Sequence, residues 1–377
     1  MHPRQKQSFL YLATCLLFAV MSFLFVFVRS QSPVPTYNPL SVRPLAEPEK
    51  IANHIPKPKV VRGLYLTAYS AGNEKFRRNL IARIKNGKIN SVVIDIKDYS
   101  GHVLYNSNLP EVKKKQAVEA HMRDISQVLT DFHRAKIYVI ARQTIFQDPV
   151  LAISNPELAF HTMSGEVWKD RKGLAWMDPN QEAVWQYNLA IAREAAKLGF
   201  DEINFDYIRY PSDGNIANLD YNLPDGRSKT EVLKNFFSYL DKNLKNVATT
   251  SVDMFGLVMD NTGTDYDLGI GQKITDAADY FDFVCPMLYA SHYAQNYLGF
   301  ENSAEHPGEV VAYGLAISQG DLKNKKARIR PWLQAFDLGA VYDQGMIAQQ
   351  IEAVQNVTST DGWLLWNARN DYPDYIF

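Results

Sequence analysis

Hydrophobic positions follow three different patterns along this chain. From Phe9 to Val28 they form an almost unbroken apolar run that Arg29 ends. Across residues 30–58 they become sparse and aperiodic among seven prolines. From Lys59 onward, short β-type runs alternate with segments of helical period, the order that parallel strands joined by crossover helices produce.

The first run is long enough to cross a bilayer. It exceeds the about 7–15 residues of a cleavable signal core, and no Ala-x-Ala site follows it. Residues 1–29 are therefore expected to be an uncleaved signal anchor, with Arg4 and Lys6 keeping the N-terminus cytoplasmic and the remainder exported. Cleavage would instead release a secreted protein. Cys15 sits inside the run rather than after it, which argues against lipidation. Residues 30–58 read as a Pro-rich extended linker.

In the third region the strand candidates are Val60–Tyr69, Ser91–Lys97, Lys136–Arg142, a strand within Gly199–Pro211, Ala248–Phe255, Phe281–Tyr289, Ile329–Phe336 and Gly362–Asn367. Helical patterns cover Glu74–Lys85, His121–Ala135, Gln181–Leu198, Lys229–Leu244 and Met346–Val357. Eight strands with intervening helices predict a (β/α)₈ TIM barrel over 59–377. An open doubly wound sheet is the competing fold, but Tyr69-Ser70-Ala71-Gly72-Asn73 is not the Gly-rich turn it would carry after its first strand.

The fourth strand places Glu202, Asn204 and Asp206 on one face and Ile203, Phe205 and Tyr207 on the other. Burying carboxylates without partners is costly, so the polar face is expected to line a solvated site. In a TIM barrel such a site lies at the C-terminal strand ends. Those ends offer Thr67 and Tyr69; Asp95, Lys97 and Asp98; Arg142; Asp206, Tyr207 and Arg209; Asp253; Met287, Tyr289 and His292; Trp332 and Gln334; and Trp366 and Asn367. Aromatic rings cover the C–H faces of a sugar while amides, acids and arginine bind its hydroxyls, so the set suits a carbohydrate.

Composition narrows the alternatives. A net charge of -1 gives no footprint for nucleic acid. With Cys15 in the apolar run, Cys285 has no intrachain partner in the remainder. The eight histidines form no metal-binding motif, and neither a Gly-x-Ser-x-Gly elbow nor a Walker loop is present. No cofactor is expected, and paired carboxylates remain as the candidate chemistry.

Glycoside hydrolysis needs one carboxyl group kept neutral as acid and one kept ionised. Asp206 is the candidate nucleophile, with Arg209, Lys97 or Arg142 able to favour its ionised form; the plainer role is a pair with Arg209 that closes the loop. Asp253 is the candidate acid, with Met254 and Phe255 as apolar surroundings; the plainer role is a loop cap. Glu202, two steps deeper, is expected to pair with Lys97 or Arg142. Asp95 and Asp98 can touch sugar hydroxyls or pair with Lys97. Tyr289, Trp332 and Trp366 read as a stacking platform or as core, and His292 as a loop residue near the site.

Val61-Arg62-Gly63-Leu64-Tyr65-Leu66-Thr67, Val93 to Asp98, Ile140-Ala141-Arg142, Gly199 to Pro211 and Asp361-Gly362-Trp363 together resemble the bacterial putative glycoside hydrolase domain family. The likeness spans roughly 59–370. Its most specific piece is Phe205-Asp206-Tyr207-Ile208-Arg209-Tyr210-Pro211 followed by Ser212-Asp213-Gly214. The resemblance implies a TIM-barrel glycosidase relative in which Asp206 matches the strand-four nucleophile of several retaining families. Related barrels place the proton donor on strand five or six. Strand six has no carboxylate beyond Asp282 at its start, which favours Asp253. The resemblance names no substrate.

The leading expectation is an envelope-anchored retaining glycosidase acting on a cell-envelope or extracellular polysaccharide. A non-catalytic glycan-binding or scaffolding barrel is the alternative. A metal-dependent carbohydrate esterase using Asp95, Asp98 and Asp206 ranks third.

Overall fold

The computed structural model describes residues 54–84, 87–223 and 226–377. The expected anchor and residues 30–53 of the expected linker lie outside the described residues. Among the described residues, no helix is long and apolar enough to cross a membrane.

Eight parallel strands form the centre: β1 Val61–Leu66, β2 Ser91–Lys97, β3 Tyr138–Thr144, β4 Glu202–Asp206, β5 Thr249–Phe255, β6 Phe283–Leu288, β7 Trp332–Gln334 and β8 Gly362–Trp366. Each pairs with the next in sequence. The pairing of β8 with β1, Val61 opposite Gly362, closes the sheet. That closure makes the fold a (β/α)₈ barrel and excludes the open sheet.

The crossovers carry α1 Glu74–Ile84, α2 Ile125–Arg134, α3 Glu182–Leu198, α4 Lys229–Leu244, α5 Pro307–Leu322 and α6 Gln344–Gln355. Local chemistry sets several of these bounds. Ser228 and Glu231 form a reciprocal capping box that starts α4. Gly199 ends α3 at φ 113°, a left-handed turn that glycine adopts without strain and that feeds the chain into β4. The connection from β5 to β6 has only a 3₁₀ segment, Gly256–Asn261, and a single turn, Ile274–Ala277. Between β2 and β3 the chain adds two short strands, Val103–Tyr105 and Val118–Met122.

Strands β2 and β3 are buried at every position, as a parallel sheet covered on both faces requires. Outward-facing residues pack under the helices in one large cluster. The inward set, including Tyr65, Val93, Tyr138, Ile140, Phe283, Cys285, Trp332 and Leu364, fills the barrel, with Ile55 packed against it.

Glu202 lies at the N-terminal end of β4 and pairs with neither Lys97 nor Arg142. Its Oε1 accepts from Arg330 Nη1 at 2.8 Å and from Ser251 Oγ at 2.6 Å, and Tyr138 Oη donates to its Oε2 at 3.2 Å. Arg330 belongs to the loop before β7, where strand patterning gives no hint of an inward-pointing cation.

Candidate active site

At the C-terminal mouth, β2, β3, β4 and β5 bring Asp95, Arg142, Asp206 and Asp253 together, each at most 6% exposed. The Arg142 guanidinium is the hub. Its Nη1 donates to Asp95 Oδ1 at 2.6 Å, its Nη2 donates to Asp206 Oδ2, and its Nε lies 3.5 Å from Asp253 Oδ2. Tyr65 Oη donates to the second oxygen of Asp95 at 2.5 Å. The second oxygen of Asp206 accepts from the Tyr207 N–H at 2.6 Å. Asp253 Oδ1 accepts from both Asn204 Nδ2, at 2.9 Å, and Trp332 Nε1, at 2.7 Å.

Three acids around one cation cannot all ionise cheaply in a dry site. Burial first, and then the charge of Asp206, push Asp253 up to about 8, against the opposing pull of Arg142, Asn204 and Trp332. Burial also raises Asp95, with Arg142 and Tyr65 opposing. Burial works against the Arg142 charge, but Asp206 and Asp95 hold it well above the usual arginine range. Asp253 thus holds its proton more readily than an ordinary carboxyl group, beside a neighbour fixed by a guanidinium.

These groups open onto a cleft of about 420 Å³. Arg142, Asp206 and Asp253 reach it from the barrel, and Phe255, Met287, Tyr289, Tyr293, Trp332 and Trp366 give it an apolar, aromatic wall. Trp366 stacks on Tyr65 with ring centres 3.8 Å apart and lies 4.9 Å from the Arg142 guanidinium. Tyr207 adopts φ 55°, a left-handed conformation that costs a non-glycine residue roughly 1–2 kcal/mol. This turn off β4 directs the Tyr207 N–H onto Asp206 and carries Arg209 to the cleft rim.

Of the residues expected from sequence, Arg142, Asp206, Tyr207, Arg209, Asp253, Tyr289, His292, Trp332 and Trp366 line the cleft. Asp95 sits behind Arg142. Five others lie elsewhere. Lys97 is fully buried outside the barrel wall, 2.8 Å from Asp148 and within 3.3 Å of Asn188 on α3. The reason is an irregularity between Asp95 and Lys97 in the pairing with β3, which breaks the two-residue alternation that would have kept them on one face. Asp98 closes a turn by accepting from the Ser100 N–H at 2.9 Å. Tyr69 is 70% exposed at the start of a short helix. Gln334 accepts from the Ser291 N–H, and Asn367 donates to the carbonyls of Ala335 and Asp371, so both fasten loops.

The polar face of the fourth strand already placed Asn204 beside Asp206 without giving it a role, whereas Tyr65 was passed over as a site residue. Asn204 shares the inward face of β4 with Asp206, and Tyr65 the inward face of β1, so the alternation carried the signal for both. Met287, read at the end of the sixth strand, and Phe255, read as apolar surroundings of Asp253, both line the cleft; Tyr293 gave no signal. Among the described residues, no three His, Cys, Asp or Glu side chains are grouped to hold a metal ion.

Residues 63–372 match the family described as "putative glycosyl hydrolase domain". Among solved structures, the chain is similar to the PgaB (BpsB) glycoside hydrolase domain from Bordetella bronchiseptica, at 14% identity over 84% of this chain and 97% of that one, with a TM-score of 0.59. It is also similar to the α-galactosidase TtGalA from Thermus thermophilus in complex with stachyose, at 10% identity over 87% and 64% of the two chains, TM-score 0.50. A hypothetical protein from Ruminiclostridium thermocellum ATCC 27405 is 37% identical over 50% of this chain and 96% of its own, TM-score 0.48. No curated protein matches. The family match spans the barrel and the carboxylate cluster at its mouth, and the chain therefore belongs to the putative glycosyl hydrolase domain family and is a glycosidase.

Proposed function

We propose that this glycosidase retains configuration, with Asp206 as nucleophile and Asp253 as acid and base. The observation that carries the reading is an asymmetry across one guanidinium: Arg142 donates to Asp206, while burial and the charge of Asp206 push Asp253 up to about 8. Asp206 attacks the anomeric carbon as the glycosidic C–O bond breaks, and the Asp253 proton passes to the departing oxygen. The ionised Asp253 then takes a proton from water, whose oxygen displaces Asp206 from the sugar. Both carboxyl groups lie against one guanidinium, and retention requires them to be about 5–5.5 Å apart, inversion about 6.5–9.5 Å.

The aromatic wall supplies stacking surface for sugar rings, and Asn204 and Trp332 hold the Asp253 carboxyl through one oxygen. A glycan-binding scaffold has no need of a carboxyl group tuned in this way. A metal-dependent esterase fits less well, because Asp95 and Asp206 already surround Arg142 and Asp98 is engaged in its own turn. The proposal extends to a single-pass membrane protein, anchored through residues 1–29, that presents the barrel to an envelope or extracellular polysaccharide.

The test is a screen of the full chain against polysaccharides, with reducing ends measured and the anomer of the first product read by NMR. Product of retained configuration, abolished by Asp206→Asn, is the expected result. Inverted product would refute the pair, and binding without product after prolonged incubation would favour the scaffold.

A further inference from the structure

Arg209 lines the cleft three residues beyond Asp206. Its guanidinium lies among three rings, 4.7 Å from the centre of Trp176, 5.4 Å from Tyr207 and 4.8 Å from Phe255. Among the described residues, only its Nη1 is hydrogen-bonded, donating to the Tyr210 carbonyl at 3.0 Å and to the Ser212 hydroxyl at 3.2 Å. Among the described residues, no carboxylate forms an ion pair with it.

The acids whose charge reaches Arg209 are Asp206, Asp213 and Asp170, and each is occupied elsewhere. Asp206 is held by Arg142 and the Tyr207 N–H. Asp170 accepts from Trp176 Nε1 at 3.0 Å and Gln147 Nε2 at 2.8 Å, and Asp213 accepts from the Arg171 N–H at 3.4 Å. Burial lowers the pKa of Arg209 from its ordinary value, as befits a cation short of counter-charge. The contrast with Arg142 is direct: one arginine of the cleft serves three acids and the other serves none.

A guanidinium presents a planar fork of N–H donors that matches an oxyanion in two-point geometry. The rings around it hold that fork at the cleft and lower the local dielectric, which strengthens its attraction for an anion. We propose that Arg209 is the recognition site for an anionic oxygen group on the glycan, so that the substrate is an acidic polysaccharide carrying sugar carboxylates or sulfate esters. The proposal rests on the glycosidase reading of the cleft. Structurally, the same residue could do no more than close the loop after β4, and the experiment separates the two roles.

Binding of glucuronate, galacturonate and mannuronate to the full chain is measured by calorimetry against glucose, galactose and mannose, with inorganic sulfate as a further arm. None of these contains a glycosidic bond, so none is consumed. At least one uronate is expected to bind about tenfold more tightly than its neutral parent, the scale of a charge-assisted hydrogen bond. Arg209→Met should erase that preference and Arg209→Lys, which keeps the charge without the fork, should keep part of it. Sulfate that binds more tightly than every uronate supports the oxyanion site and assigns it to sulfate esters. Equal affinities for charged and neutral sugars, no binding of either, or a preference that persists in Arg209→Met would overturn the proposal. The comparison within the wild type needs no variant to fold. Turnover surviving Asp206→Asn would sink the hydrolytic mechanism and leave these affinities standing, so the two failures are distinct.

Discussion

The barrel holds an arginine–carboxylate cluster at each end of its axis, and the two differ in their balance of charge. At the N-terminal end Arg330 meets Glu202, both fully buried, and Lys57 meets Asp361 at 2.6 Å. Each acid there has a cation. At the C-terminal end one arginine faces Asp95, Asp206 and Asp253, and the cleft reaches it. Arg330 leaves Nε and Nη2 without hydrogen-bond partners among the described residues, so the lower pair is balanced in charge though not in hydrogen bonds, whereas an excess of acids forces one to hold a proton. The lower cluster is balanced in charge, and the upper one carries an excess of acid. Excess acid, rather than burial or charge alone, is what distinguishes the reactive end.

The comparison breaks most completely at Asp253. Asp253→Asn should lower kcat by roughly 10²–10⁴, the span of positioned acid–base catalysis, while leaving the fold intact, because an amide replaces a carboxyl group that is already neutral. Kinetics on the glycan found in the screen, with thermal unfolding as a control, measure this. A rate within a few-fold of wild type would put the acid elsewhere.

At the other end the expected damage is to stability. Arg330→Met leaves Glu202 buried without its cation and should cost about 3–5 kcal/mol, read from the urea midpoint. The folded fraction should keep its kcat. A loss of kcat without a loss of stability would mean that the lower cluster takes part in chemistry.

A smaller effect separates the ends by pH. The folded chain keeps the Asp253 proton up to about pH 8, whereas the unfolded chain releases it near the ordinary value of 3.8. Between those values the folded state binds the extra proton, so stability falls as pH rises, by up to about 1.4 kcal/mol per pH unit from this group. Asp253→Asn should flatten that slope, and wild-type activity should fall as pH rises through about 8. Urea midpoints across that range provide the check; an unchanged slope in the variant would mean that the raised value belongs to another group.

The sequence made the frame legible because its strands obey a simple period, and it lost detail where the period fails. Strand β2 and helix α4 occupy the expected residues, the latter because the capping box marks its start. Strand β7 shrank to Trp332–Gln334 because Pro331, which has no N–H to donate, interrupts the ladder after Arg328–Ile329. Helix α5 was missed because Gly308, Gly314 and Gly320 weaken its propensity. At the mouth, strand-end position was enough to bring Asp206, Asp253 and Arg142 to one cleft. It misplaced Lys97, since one break in pairing turns that side chain through the wall, and it could not foresee Arg330, which reaches Glu202 from a loop. Side chains on regular backbone were readable; partners brought in by irregular backbone were not.

The smallest expected effect is the sharpest test of the contrast. Glu202→Met combined with Arg330→Met removes both ions of the lower pair and replaces them with flexible apolar side chains of similar reach. Replacing a complete buried pair in this way is often neutral or stabilising. Tyr138 Oη keeps the Asp201 carbonyl as an acceptor at 3.2 Å, and Ser251 Oγ still accepts from Asn204 Nδ2 at 3.1 Å, its own O–H being the one donor left without Glu202. The double variant should therefore recover most of the stability lost in Arg330→Met, giving a large coupling energy in the double-mutant cycle, and should turn over substrate as the wild type does. The parallel operation at the mouth, Arg142→Met with Asp206→Asn, removes a cation and an acid from an unbalanced set and leaves Asp95 and Asp253 without their guanidinium. No choice of apolar substitute can restore turnover there. If the lower double variant is inactive while folded, the two clusters are coupled along the barrel axis and the division between a structural end and a reactive end fails.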